Sequence, residues 1–175
     1  FILTFRKPEN KVLFAREGLI IAATSWVALS FFGAIPFYLS GEFLSFLDCL
    51  FETVSGFTTT GASILSDVEI LPKGILFWRS FTHWIGGMGV LVFVLSIISF
   101  SGGYSLHIMK AESPGPVTGK FVPKLKQTAK ILYIMYVVLT LIEIFLLCIG
   151  GMPLFDSLLN SFGTAGTGGF GIKNA

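Results

Sequence analysis

Three stretches of this chain are too apolar to fold in water. Gly18 to Gly41 carries no charge, Ile75 to Leu106 is interrupted only by Arg79 and His83, and Ile131 to Phe155 only by Glu143. A helix needs about 20 mostly apolar residues to cross a bilayer, so three membrane spans are expected. Charged residues make up 13% of the sequence, about half the usual soluble share of roughly 25%, which excludes an ordinary soluble domain. The net charge of +2, with its basic residues at span edges rather than in a stripe, excludes a nucleic-acid surface.

The charges between the spans fix their direction. Arg6, Lys7, Lys11 and Arg16 precede the first span, and Lys110, Lys120, Lys124, Lys126 and Lys130 separate the second from the third. Both segments are therefore expected in the cytoplasm. The connection between the first two spans carries Glu42, Asp48, Glu52, Asp67 and Glu69 against Lys73 and should lie outside, concentrating cations at its surface. The apolar run around Cys49 to Phe57 must then enter and leave the membrane on one side. Irregular backbone at that depth is tolerated only when it is buried in protein or lines an aqueous cavity.

That re-entrant unit occurs twice. Ser55 to Ser63 reads S-G-F-T-T-T-G-A-S and Gly163 to Gly171 reads G-T-A-G-T-G-G-F-G, each behind a short apolar segment that opens with an aspartate, Asp48 or Asp156. Each aspartate is expected to cap its short helix. The negative helix end would then point at the Thr/Gly loop, whose carbonyls can replace a cation's hydration shell. Aligning Thr60-Gly61-Ala62 with Thr167-Gly168-Gly169 gives filter candidates Thr59, Thr60, Gly61, Gly166, Thr167 and Gly168, with a monovalent cation at those residues and no catalytic group. The expected fold is an all-α membrane protein of repeated units, each a transmembrane helix, a re-entrant pore helix with its filter loop, and a second transmembrane helix. A cytoplasmic segment 1–17 leads into the first unit at 18–106, with spans 18–41 and 75–106, pore helix 48–57 and filter 58–63. A cytoplasmic loop 107–127 then leads into an incomplete second unit at 128–175, with span 128–150, pore helix 156–163 and filter 164–170. The start at Phe1 and the end directly after the second loop are those expected of a piece of a longer polypeptide.

The two Thr/Gly loops, F-W-R-S-F-T-H-W-I-G-G-M-G-V from Phe77 to Val90 and A-E-S-P-G-P at Ala111 to Pro116 together resemble the membrane subunit of the Trk/Ktr/HKT potassium transporter superfamily, its TrkH-like branch most closely. The resemblance implies a pore of four unequal units like those of potassium channels, of which this chain holds about one and a half. It also implies potassium uptake across the plasma membrane, the bacterial inner membrane, with potassium as transported ion and no cofactor bound by this chain. The implied partners are the lipid membrane, the missing remainder of the polypeptide, a second copy in a dimer, and a cytosolic nucleotide-binding regulatory subunit docking on the side of Lys110 to Lys130. A sodium-permeable member of the same family is the alternative, and Gly61 argues against it.

Other residues carry open readings. Arg79 and His83 share one face of the second span and belong either to the ion path or, for Arg79, to a snorkelling anchor at the interface. Glu143, midway along the third span, needs a partner or water. Gly86, Gly87 and Gly89 fit close helix packing better than a hinge. Pro36 should kink the outer end of the first span. Cys49 and Cys148 read as small hydrophobes. Gly166 to Gly171 matches a dinucleotide fingerprint in letters only, since no strand precedes it. A membrane-embedded enzyme using His83 with Glu52 or Asp67 has no supporting signature, and an assembly subunit without transport of its own is a third alternative.

Overall fold

In the computed structural model the described residues are 15–89 and 121–174, with side chains from residue 20 and from residue 127 of the respective segments. The calls on the N-terminal segment, on the second span beyond residue 89 and on most of the basic loop lie outside them. Among the described residues every regular element is a helix: α1 (Ala15–Ser40), α2 (Phe46–Phe57), α3 (73–89), α4 (Phe121–Ile149) and α5 (Leu154–Ala165).

Two of these helices are long and apolar enough to span a membrane, over Ile20–Ser40 and Gln127–Ile149. Their surfaces remain apolar outward: Val27 and Leu39 on α1 and Leu139 on α4 are more than 60% exposed, as lipid-facing side chains are. α1 runs unbroken through Pro36. α4 begins inside the stretch expected to be the cytoplasmic loop. It ends at Gly150 and Gly151 in a Schellman closure, with Gly151 N donating to Cys148 O at 3.1 Å, Met152 N donating to Leu147 O at 3.1 Å, and Gly151 at φ +89°.

α2 and α5 are 12 residues each, about 18 Å long and far short of a bilayer. They begin two residues before the expected starts. The aspartates are not their caps: Ser45 caps α2, its hydroxyl accepting from Asp48 N at 3.2 Å, and Pro153 precedes α5 without a side-chain cap bond. Asp48 and Asp156 occupy the third helical position, where a carboxylate still favours the positive helix end but leaves the capping to the residue three before it. α2 is also inside out. Glu52, Thr53 and Ser55 are buried, whereas Leu47, Phe51 and Val54 face outward.

α3 is the element around which the rest assembles. Ala34 and Phe37 of α1 and Cys49 of α2 form a buried cluster flanked by Ile75 and Trp78, and Trp78 Nε1 donates to Gly33 O at 2.9 Å. On its other side, Phe77, Phe81 and Trp84 pack edge-on or tilted around Phe162 of α5 with centroids 5.4 to 6.0 Å away. Trp84 also donates to Thr140 Oγ1 of α4 at 3.2 Å, and the Tyr136 hydroxyl donates to Trp84 O at 3.1 Å. Cys49 and Cys148 are both free thiols.

Candidate functional site

Both short helices end in the same unusual turn. At the end of α2, Thr59 N donates to Gly56 O and Thr60 N to Ser55 O, each at 3.0 Å. At the end of α5, Thr167 N donates to Thr164 O at 2.9 Å and Gly168 N to Gly163 O at 3.2 Å. This is the Schellman pattern, whose left-handed position normally falls to glycine. Here it falls to threonine twice, with φ +56° at Thr59 and +58° at Thr167. A β-branched residue at positive φ is an outlier costing on the order of 1–3 kcal/mol. The strain, present in both loops at one position, marks them as one structural device.

The turn also fixes the register between the repeats. Asp48 and Asp156, the helix ends Thr58 and Gly166, the strained Thr59 and Thr167, and the positive-φ glycines Gly61 and Gly169 are each 108 residues apart. The alignment of Thr60 with Thr167 and Gly61 with Gly168 is therefore one residue out. It matched the Thr-Gly letters, whereas the backbone is registered by the helix end. Of the candidate residues, Thr59, Thr60, Gly61, Thr167 and Gly168 lie on the two strands; Gly166 is the buried end of α5, equivalent to Thr58, and Gly169 takes the place equivalent to Gly61.

The strands lie against each other. A Cβ added at Gly61 would overlap the carbonyl oxygen of Gly168, so any side chain there forces the two strands apart. Closing the helix uses the carbonyls of residues 54–56 and 162–164, and Ala62 O accepts the Ser55 hydroxyl. The carbonyls of Thr58 to Gly61 and of Gly166 to Gly169 accept no hydrogen bond among the described residues. Two rows of free backbone oxygens thus follow two negative helix ends, with the Thr60 hydroxyl 2.8 Å from that of Thr58.

α3 holds both rows from behind. Gly86 backs onto the Phe57 carbonyl group, and Gly87 onto Gly166 and the Tyr136 hydroxyl, which is the close packing expected of this glycine run. Arg79 is not a snorkelling residue: it is 2% exposed and its Nε donates to Glu52 Oε1 at 2.6 Å. Its Nη1 donates to Gly171 O at 2.8 Å, and the guanidinium lies 3.6 Å from the Phe170 ring centroid. His83, one turn further on, stacks on the same ring at 3.9 Å and abuts Gly168. Neither of its ring nitrogens makes a hydrogen bond among the described residues, although the Ser55 backbone lies near. Glu52, counted among the outer acidic residues, is fully buried behind the first strand, where it also accepts from Ser63 Oγ at 2.9 Å and Ile64 N at 3.1 Å. Glu143 is half-buried and has no hydrogen bond or ion pair among the described residues.

The roles of Glu52, Phe170 and Gly171 were missed in the sequence. A lone glutamate four residues after Asp48 in an otherwise apolar helix was the available signal. Beyond the two loops Asn174 joins the repeats, donating through Nδ2 to Asp67 Oδ1 at 2.7 Å and accepting from Val68 N at 3.1 Å.

The family model for TrkH, cation transport protein, matches residues 2–174. The chain belongs to the TrkH family of cation transport proteins. Over 169 residues it is 40% identical to the Trk system potassium uptake protein TrkH of Salmonella typhimurium, covering 95% of this chain and 35% of that protein. It is 36% identical over 170 residues to an uncharacterized cation transporter of Methanocaldococcus jannaschii, covering 96% of this chain and 34% of that one. The crystal structure of the potassium transporter TrkH from Vibrio parahaemolyticus superimposes with a TM-score of 0.69 at 30% identity, over 91% of this chain and 31% of that one. The chain thus spans about a third of the length of the relatives it matches. It is an all-helical part of a multi-pass membrane protein, and its relatives are transporters.

Proposed function

We propose that these residues supply two of the filter strands through which a potassium uptake protein of the plasma membrane passes its ion. The observation that carries this is the pair of free carbonyl rows at 58–61 and 166–169, each behind the negative end of a short helix. A dehydrated monovalent cation needs oxygen ligands without the cost of stripping them from other donors, and these oxygens accept from no donor among the described residues. Thr59, Thr60 and Gly61 on one strand and Thr167, Gly168 and Gly169 on the other are the proposed potassium ligands, through their backbone oxygens. The names of the relatives, potassium uptake proteins among them, support the same ion.

Sodium permeation is the second reading within transport, and Gly61 at the strand crossing favours potassium over it. A docked cytosolic nucleotide-binding subunit and a dimer of pores complete the proposal, supported by the family membership and by the basic residues at Lys110 to Lys130. The alternative of a membrane-embedded enzyme using His83 with Glu52 or Asp67 is poorly served: Glu52 is committed to Arg79, Asp67 bonds Asn174, and His83 faces an aromatic ring.

The test is uptake of rubidium and sodium by the full-length protein in a host lacking its own potassium uptake. Wild type should favour rubidium, and Gly61→Ser should reduce that preference while the protein still reaches the membrane. Equal uptake of both ions by wild type, or an unchanged ratio in Gly61→Ser, would refute the proposal.

A further inference from the structure

Ser63 and Gly171 are equivalent positions of the two repeats, two residues beyond Gly61 and Gly169 in the 108-residue register. One buried ion pair holds both. Glu52 Oε1 accepts from Ser63 Oγ at 2.9 Å and, on the same oxygen, from Arg79 Nε at 2.6 Å, while Arg79 Nη1 reaches Gly171 O at 2.8 Å. The chain of contacts from strand to strand is therefore Ser63, Glu52, Arg79, Gly171, with no flexible link in it. Glu52 is fixed a second time by Ile64 N, and the guanidinium lies over the Phe170 ring, 3.6 Å from its centroid. Both charges are within 3% of full burial, so neither can turn to water as an alternative partner.

We propose that the Glu52–Arg79 pair is a specificity-determining positioning device. It sets the separation of the two strands at their outer ends, and through that separation the preference for potassium over a smaller cation. The inference rests on the filter reading above and adds residues that touch no ion. Arginine is required for a geometric reason: its planar fork donates to the Glu52 carboxylate and the Gly171 carbonyl at once, in fixed relative directions. A lysine at this place carries the charge but directs it from a single nitrogen. A filter whose strands are free to close by a fraction of an ångström accommodates sodium as well, so selectivity, not conduction, is what the pair protects.

The experiment compares wild type, Arg79→Lys and Ser63→Ala in the full-length protein, reading rubidium and sodium uptake as separate KM and maximal-rate values, with membrane level and thermal unfolding as folding controls. Arg79→Lys should retain rubidium uptake while its rubidium-to-sodium preference falls by about tenfold, the size expected from losing one charge-assisted hydrogen bond. Ser63→Ala removes a single donor on an exposed residue and should unfold like wild type with a smaller fall of the same sign, roughly twofold to fivefold. If Arg79→Lys fails to fold, Ser63→Ala decides alone. Folded variants that keep the wild-type preference overturn the inference. A wild type without potassium preference overturns instead the filter reading on which it stands, so the two failures are told apart.

Discussion

Replacing Gly86 by alanine tests whether α3 positions the proposed filter strands or merely packs near them. The added Cβ would overlap the Phe57 carbonyl oxygen and stand 2.8 Å from its carbon and 3.0 Å from the Phe57 α-carbon. Carbon atoms rest at about 3.5 Å or more, so α3 and the end of α2 must part by at least ~0.7 Å. The obstacle is main chain on both sides and has no rotamer through which to yield. Overpacking of this kind costs about 1–3 kcal/mol. Phe57 directly precedes Thr58, whose carbonyl begins the free row, so the displacement is carried into the strand. Gly74 is the control: it lies in the first turn of the same helix, where an added Cβ meets nothing within 4 Å. There alanine should be neutral or stabilising by up to about 1 kcal/mol through helix propensity. Thermal unfolding in detergent and rubidium against sodium uptake should show Gly86→Ala less stable and severalfold less selective, with Gly74→Ala unaffected in selectivity. Wild-type behaviour of Gly86→Ala in both assays refutes the contact, and loss of stability without loss of selectivity refutes its positioning role.

Thr59→Gly should relieve roughly 1–2 kcal/mol of left-handed strain, offset by about 0.5–1 kcal/mol of extra freedom in the unfolded chain, leaving a protein as stable as wild type or more so but less selective; a clear drop in unfolding temperature contradicts the strain. Trp78→Phe removes the bond to Gly33 O and should cost about 1 kcal/mol in thermal unfolding, with no change in ion preference. The Asp67 carboxyl is held below the usual carboxylate range, first by the Asn174 side chain and then by Glu69 N. Its stabilising contribution is complete above the ordinary carboxylate pKa of about 4 and disappears as pH falls through the lower folded value. Wild type should therefore unfold at a higher temperature than Asp67→Asn at pH 7, and the gap should narrow toward pH 3; a gap independent of pH excludes this linkage.

The alternation of long and short helices was legible from length and hydropathy. The apolar run at Cys49 to Phe57 stands between longer apolar stretches and is itself too short to cross a bilayer, and the chain forms a 12-residue helix there. The finer placement was less legible, and each miss has a local cause. The aspartates looked like caps because Asp caps helices well, but Ser45 stands three residues ahead of Asp48 and wins with a shorter reach to the first free amides. The repeats slipped by one residue because Thr-Gly recurs in letters, while the left-handed turn that registers them is a backbone property no letter records. Arg79 stayed open between the ion path and the interface because its partner Glu52 is 27 residues away, beyond what helical periodicity can pair.

What no local pattern could show is that the second strand is registered by the first repeat. Gly171 O is held by Arg79, Phe170 packs on Arg79 and His83, Gly166 and Gly168 abut Gly87 and His83, and Phe162 is enclosed by Phe77, Phe81 and Trp84. All of these first-repeat partners lie on α3. A displacement of α3 therefore cannot leave one strand in place while moving the other: Gly86 would carry the end of α2 while Gly87, His83 and Arg79 carried the loop after α5. Small shifts in this helix should thus change both rows of oxygens together, and selectivity should respond to α3 as a single variable. Substitutions on the outward face of α4, such as Leu139, touch neither row and should leave it unaltered.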